Sequence, residues 1–319
     1  MKHYLGIDSG GTKTKFILVT ELGETIAEST QSASHYLQVG FNGLKQVMEN
    51  GLNDCLAQSH TARSDIHHIF ASVAGYGDIE KDNVLIEEII NDVFYPIPFN
   101  VGNDIENAYA GALGSQAGIV VIAGTGSIGL GVDECNHSFR CGGWHHAFGG
   151  DEGSAFWIGC KLIQAFTLQS DGRSAQTLLY SYLKAKYEFT SDSDILQMVI
   201  VDWDFNRTKV ANLAQDVFEL ASLSDPVALK IYVEAAYELS RIIIAIKSKL
   251  NFKDDVIASY QGGVFKSSNF ITEPLKNYLD PHHIQLKNPL FGPDVGSALL
   301  ALKYGNVEIT EAVLTKLTQ

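Results

Sequence analysis

Residues Tyr4 to Val19 constrain the fold more than any other stretch of this chain. A short apolar strand ends in Asp8. Ser9, Gly10, Gly11, Thr12 and Lys13 follow, and a second apolar strand runs from Thr14 to Val19. Two short strands joined by a glycine turn make a β-hairpin. Its tip suits phosphate, because glycines let backbone N–H groups approach an anion closely and Thr12, Lys13 and Thr14 add donors. Asp8 stands where a hydrated Mg²⁺ would be held against those phosphates. The device recurs as strand Ile119 to Ala123, turn Gly124 to Ser127 and strand Ile128 to Val132. Two such hairpins imply two related halves facing one nucleotide.

The chain has 319 residues, enough for two domains. Hydrophobic residues make up 45% and charged residues 19%, the balance of a globular protein. A net charge of −14 argues against nucleic acid, since no basic surface is available to neutralise a row of phosphates. Met1 leads directly into the first strand, and no apolar run is long enough to span a bilayer. The expectation is a cytoplasmic protein without a membrane partner. Cys55, Cys135, Cys141 and Cys160 form no C-x-x-C pair, which disfavours disulfides and a zinc or iron–sulfur site.

Hydrophobic spacing predicts helices over Asn42 to Leu56, Asp82 to Phe94, Ile105 to Leu113, Asp151 to Thr167, Val227 to Leu250 and Asp294 to Lys303. It predicts strands over His68 to Ala74, Pro98 to Gly102 and Val256 to Tyr260. Small residues along Ile105 to Leu113 point to close packing of that helix. The order hairpin, helix, strand, helix appears twice, which marks an α/β protein with mixed sheets flanked by helices. The halves should meet near Gly114 to Gly118.

Gly124 to Gly129 matches G-x-G-x-x-G, but the dinucleotide fingerprint needs a helix to begin inside it. The sequel Leu130-Gly131-Val132 is extended, so a second phosphate-binding hairpin is the better reading. Gly262 and Gly263 follow a buried strand and leave bare backbone on which a purine could lie. Asp104 lies at the C-terminal end of a strand, where ligands of open α/β sheets gather. It could accept the proton of an attacking hydroxyl, or merely cap the helix behind it. Gly142 to Ser154 reads as a polar and aromatic loop in which Trp144 could stack on a sugar ring and Asp151 could accept hydroxyl bonds. His145 and His146 read as loop donors. Asn206-Arg207-Thr208 fits a glycosylation pattern that a cytosolic protein would not use.

Taken in order, five pieces resemble the actin/hexokinase/Hsp70-type ATPase superfamily. They are Asp8 to Lys13, Asn103 to Ala112, Ile122 to Ser127, Gly143 to Ser154 and Gly262 to Ser267. Within it the chain resembles the N-acetylglucosamine kinase group of the BadF/BadG/BcrA/BcrD ATPases. The resemblance implies two ribonuclease-H-like, actin-like ATPase domains with an interdomain cleft. The first would span 1–114, with a C-terminal helix at about 304–319 packing back on it. The second would span 115–303, with a helical insertion at about 155–250.

The activity implied is ATP-dependent phosphorylation of the 6-hydroxyl of an amino sugar, N-acetylglucosamine foremost, with ATP and Mg²⁺ as cofactors. Asp104 would be the catalytic base and Asp8 would steer Mg²⁺ through water. Gly10, Gly11, Thr12, Lys13, Gly124, Thr125, Gly126, Gly262, Gly263 and Ser267 would hold ATP. Ser34, His35, Asp104, Gly143, Trp144 and Asp151 would contact the sugar. The family often carries an asparagine where Ser34 and His35 stand, so glucosamine and N-acetylmuramic acid are alternative substrates. A BadF-type activator ATPase and a non-catalytic sensor are the alternative functions. A homodimer is the expected assembly.

Overall fold

The computed structural model describes residues 2–10, 12–77, 79–253 and 255–317. It divides into two compact units, Met1–Ala117 with Asn288–Gln319, and Gly118–Lys287. In the first unit β1 (His3–Ser9), β2 (Lys13–Thr20) and β3 (Thr25–Ser32) precede α1 (Tyr36–Ser59). Then come β4 (Ile66–Ser72), α2 (Glu80–Phe94), β5 (Phe99–Gly102) and α3 (Asp104–Leu113). The second unit opens with β6 (Gly118–Ala123), β7 (Ser127–Val132) and β8 (Ser138–Gly142). A helical stretch follows: α4 (Ala155–Ser170), α5 (Leu178–Lys186), the single turn α6 (Asp194–Leu196), α7 (Arg207–Asn212), α8 (Ala214–Ser222) and α9 (Pro226–Lys249). The unit closes with β9 (Val256–Gln261), α10 (Asn269–Leu279) and β10 (Ile284–Leu286). The chain then returns to the first unit as α11 (Pro293–Tyr304) and α12 (Glu311–Leu317).

The two sheets are the same design. Their orders are β3-β2-β1-β4-β5 and β10-β9-β6-β7-β8. In each, three antiparallel strands form a meander, a fourth strand pairs in parallel with its first, and a fifth pairs in parallel with the fourth. Strand side chains alternate between faces, so each face of the first sheet needs its own cover. Leu5, Ile7, Phe16 and Leu18 pack with Met48, Leu52 and Ile90 on one face. Tyr4, Ile17 and Val19 pack with Leu299 and Leu302 on the other. Gly6 is bare because α11 crosses it, and a Cβ there would lie 2.2 Å from the Ala298 nitrogen. In the second unit β6 buries Ile119, Val121 and Ala123 with Leu162, Val217, Leu239 and Ile243.

Four local expectations change. The helix expected from Asn42 is preceded by a short helical segment that begins at Tyr36 under a His35 cap, and Gly40 (φ 71°, ψ 171°), which is not helical, breaks the two apart within α1. The helix expected from Asp151 begins at Ala155, with Ser154 as its cap, and Asp151 itself sits at φ 64°. Gly142 belongs to the unexpected strand β8, which completes the second meander. The return to the first unit starts at Asn288 and not near 304, because α11 must cover the bare face of β1.

Candidate functional site

In the first unit the parallel strands β1, β4 and β5 end together, with Asp8 paired to Ser72 and Ser72 to Gly102. Ligands of open α/β sheets gather at such an edge. Asn103 caps α3: its side chain accepts from the Ile105 N–H at 3.2 Å, and Glu106 accepts from the Asn103 N–H at 3.1 Å. Capping therefore falls to Asn103, and Asp104 stands exposed at the first helical position. The Asn103 amide also donates to the Tyr76 carbonyl at 2.5 Å, which ties this end to the turn after β4.

Asp8 accepts a hydrogen bond from Asn107, one helical turn beyond Asp104 on α3. Burial pushes the Asp8 carboxyl up to about 6, and the nearby charges of Asp294 and Asp104 add to the rise. The Asn107 bond and Lys15 oppose it. Lys15 pairs with Asp294. The oxygen of the same Asn107 amide is buried without a hydrogen-bond partner, which a water or a hydrated cation beside Asp8 would satisfy. Among the described residues no three His, Cys, Asp or Glu side chains are close enough to cage a metal.

Gly10 and the exposed Thr12 and Lys13 form the tip of the first hairpin, while Gly11 lies outside the described residues. Ser34 is fully buried behind that tip. Its hydroxyl bonds the hydroxyls of Ser9 and Thr14, each at 2.7 Å, and Ser9 accepts from the Ala74 N–H. The sugar contact expected at Ser34 is thus replaced by an internal hydroxyl network that fastens the loop. His35 is partly exposed, stacks on Tyr36 and lies beside Gly75.

In the second unit the turn after β6 rests on the start of α4. The Ala155 N–H donates to the Gly124 carbonyl at 2.9 Å and the Phe156 N–H to the Thr125 carbonyl at 3.3 Å. No atom would obstruct a Cβ on Gly124 or on Gly263, so their backbone is open. Gly262 (φ 106°) is required by a close approach, since its Cβ would lie 2.4 Å from the Ala123 carbonyl oxygen. Ser267 is buried and bonds the Tyr232 hydroxyl at 2.7 Å, so it supports this loop from behind. Trp144 is 74% exposed beside Gly143. Among the described residues His145 and His146 belong to no metal cluster; their ring centres lie 4.1 Å apart with the planes tilted by 35°.

Asp151 is only 4% exposed, and both of its oxygens are engaged. One accepts from the Ser127 N–H at 3.2 Å, the other from the Arg207 guanidinium at 2.6 Å. An Asp151 free to meet a sugar is not what the geometry offers; it clamps the turn to α7. Gly126 is bare because a Cβ would lie 2.4 Å from Arg207 Nη2. Sequence reasoning missed Arg207, whose only local signal is the cap before it. Asn206 accepts from the Thr208 and Lys209 N–H groups, so the apparent glycosylation triplet is a helix start. Asn107 was also missed, although its place three residues after Asp104 put it on the same helix face.

Two five-stranded sheets of one order, each with a glycine turn after its first strand in the chain, place the protein in a class of duplicated α/β folds. The chain belongs to the BadF/BadG/BcrA/BcrD ATPase family, whose model matches residues 5–301. It is 29% identical to the N-acetylmuramic acid/N-acetylglucosamine kinase of Clostridium acetobutylicum, over 90% of this chain and 93% of that protein. It is 28% identical to the N-acetyl-D-glucosamine kinase of Dictyostelium discoideum, over 94% of this chain and 97% of that one. Its fold matches a solved structure from Chromobacterium violaceum, described as a candidate N-acetylglucosamine kinase. That match has a TM-score of 0.69 at 24% identity and covers 95% of this chain and 99% of that one.

Proposed function

We propose that this protein is a cytoplasmic, ATP-dependent sugar kinase that phosphorylates the 6-hydroxyl of an amino sugar, N-acetylglucosamine before glucosamine or N-acetylmuramic acid. The observation that carries the reading is the pairing of Asp104 with Asp8 at one sheet edge, in a chain whose relatives are named as kinases of these sugars. Asp104 is exposed at the head of α3 while Asn103 does the capping. It accepts the hydroxyl proton as the sugar oxygen bonds to the γ-phosphorus and the bond to the ADP oxygen breaks. Asp8, with Asn107 beside it, would hold Mg²⁺ through water. That ion would neutralise charge on the phosphates. The open backbone at Gly124 and Gly263 would take phosphate and adenosine, with Gly10, Thr12 and Lys13 adding donors. His35, Gly143 and Trp144 would face the sugar. A second copy of the chain is the proposed partner, which sedimentation at working concentration would test.

The decisive experiment is a coupled ADP-release assay with Mg·ATP over N-acetylglucosamine, glucosamine, N-acetylmuramic acid, N-acetylmannosamine and glucose. The expected result is strong release with one amino sugar. Silence on all of them, with ATP still bound, would overturn the kinase reading in favour of an activator or sensor.

A further inference from the structure

The starting edge of the first sheet carries a groove that the kinase chemistry leaves unused. It has a volume of 670 Å³ and is lined in part by Lys2, Arg63, Asp65, Ile66, His67 and Ile97. These residues stand at or just before the first residues of β1, β4 and β5, which run parallel. β1 and β4 each span seven residues, so the groove lies roughly 20 Å along the sheet from the edge that bears Asp8 and Asp104.

Its charge runs against the rest of the chain. The protein carries a net −14, yet two cations and a histidine line this one groove. The acid among them, Asp65, is engaged by the Ala62 N–H at 2.8 Å. The Lys2 ammonium lies 3.5 Å from Nε2 of His67, so one donor is turned toward another titratable nitrogen. Two nitrogens of the Arg63 guanidinium, Nε and Nη2, are shielded from water with no hydrogen-bond partner. A desolvated guanidinium without acceptors is costly, and turning it out of its shielded position to meet an anion in the groove would offset that cost.

The size and lining say what sort of anion. A volume of 670 Å³ falls within the range for small organic ligands and far exceeds one phosphate. Pro96 and Pro98 line it too, with the edges of Ile66 and Ile97 between them, so part of its surface is apolar. Arg and Lys together are the usual cradle of a doubly charged phosphate. We propose that this groove is a second ligand site, one that binds a phosphorylated small organic molecule through Arg63, Lys2 and His67. The proposal does not rest on the kinase reading.

The test is calorimetric titration of the full chain, kept saturated with Mg·ADP so that phosphate turns elsewhere are occupied. The probes are phenyl phosphate, inorganic phosphate and phenol, with the His67 ring signals followed by NMR. Phenyl phosphate should bind more tightly than inorganic phosphate, phenol should not bind, and the His67 signals should move. Arg63→Ala should weaken phenyl phosphate by about tenfold or more, and Arg63→Lys by less. If Arg63→Ala fails to fold, Lys2→Ala, which removes an exposed side chain, serves in its place. Unchanged affinity in those variants, or no saturable binding at millimolar phenyl phosphate, overturns the site. Equal affinity for phenyl phosphate and inorganic phosphate overturns the organic ligand.

Discussion

Asp8 and Asp104 share a sheet edge, and the proposed mechanism needs each ionised for a different reason. Asp104→Asn keeps the size and the α3 cap but cannot take a proton. It should lower kcat by about 10²–10⁴-fold with little change in the KM for ATP, as the steady-state kinetics would report; turnover near wild type would remove Asp104 from the mechanism. Asp8 has a pKa raised from 3.8 to about 6, chiefly by burial. The folded state therefore holds a proton that the unfolded chain releases between those values. Stability falls as pH rises through that window, by about 3 kcal/mol for the full shift. Asp8→Asn removes this penalty, so urea unfolding near neutral pH should show a more stable variant, with the gain vanishing below about pH 4. The same variant should lose Mg²⁺-dependent ATP binding. A less stable Asp8→Asn would mean that the carboxylate is compensated by partners other than Asn107 and Lys15. Arg207→Met leaves the buried Asp151 without its cation. Since the Arg207 side chain is 40% exposed, the expected loss is about 2 kcal/mol, below that of a fully buried pair, read as a lower urea midpoint.

At the scale of elements, α3 and α11 meet with almost no side chain between them. A Cβ on Gly296 would lie 1.9 Å from the Asn107 carbonyl oxygen, and one on Gly111 2.3 Å from that of Gly292. Gly296→Ala must push the helices apart, at a cost of about 3 kcal/mol, and must shift the residue that holds Asp8. Thermal unfolding should show the loss and kinetics a fall in turnover; an unchanged melting point would mean that the helices slide freely. The closeness was legible, because Ala108, Ala110, Gly111 and Ala112 lie in one short helix. Its partner was not, since α11 is far away in sequence and nothing in its own pattern says which sheet it covers. Asp151 teaches the same lesson. Its chemistry can be read locally, but the Arg207 that claims it comes 56 residues later from a helical stretch. Ser34 likewise reads as a loop hydroxyl until the fold seats it on Ser9 and Thr14. Sequence pattern reports period and turn chemistry well, and long-range partners hardly at all.

On the scale of the whole molecule, the duplicated topology was readable because both meanders repeat the same order of strand, glycine turn and strand. The unequal dependence of the two units on chain continuity was not. The second unit is one unbroken stretch, 118–287, and the core of β6 with α4, α8 and α9 lies wholly inside it. The first unit is split: Tyr4, Ile17, Val19 and Phe70 are covered by Ala298 to Leu302, which the chain supplies only after completing the second unit. Without that return the first sheet would present an uncovered apolar face to water, and β1 would have nothing packed on Gly6. A fragment of residues 118–287 should therefore fold alone, with helical circular dichroism and a single cooperative urea transition. A fragment of residues 1–117 should aggregate or stay loosely packed, and should gain a cooperative transition once residues 288–319 are joined to it through a short linker. Cooperative unfolding of 1–117 alone would show that the α1 and α2 face is enough to hold the sheet, and that α11 is an addition to the first unit rather than half of its core.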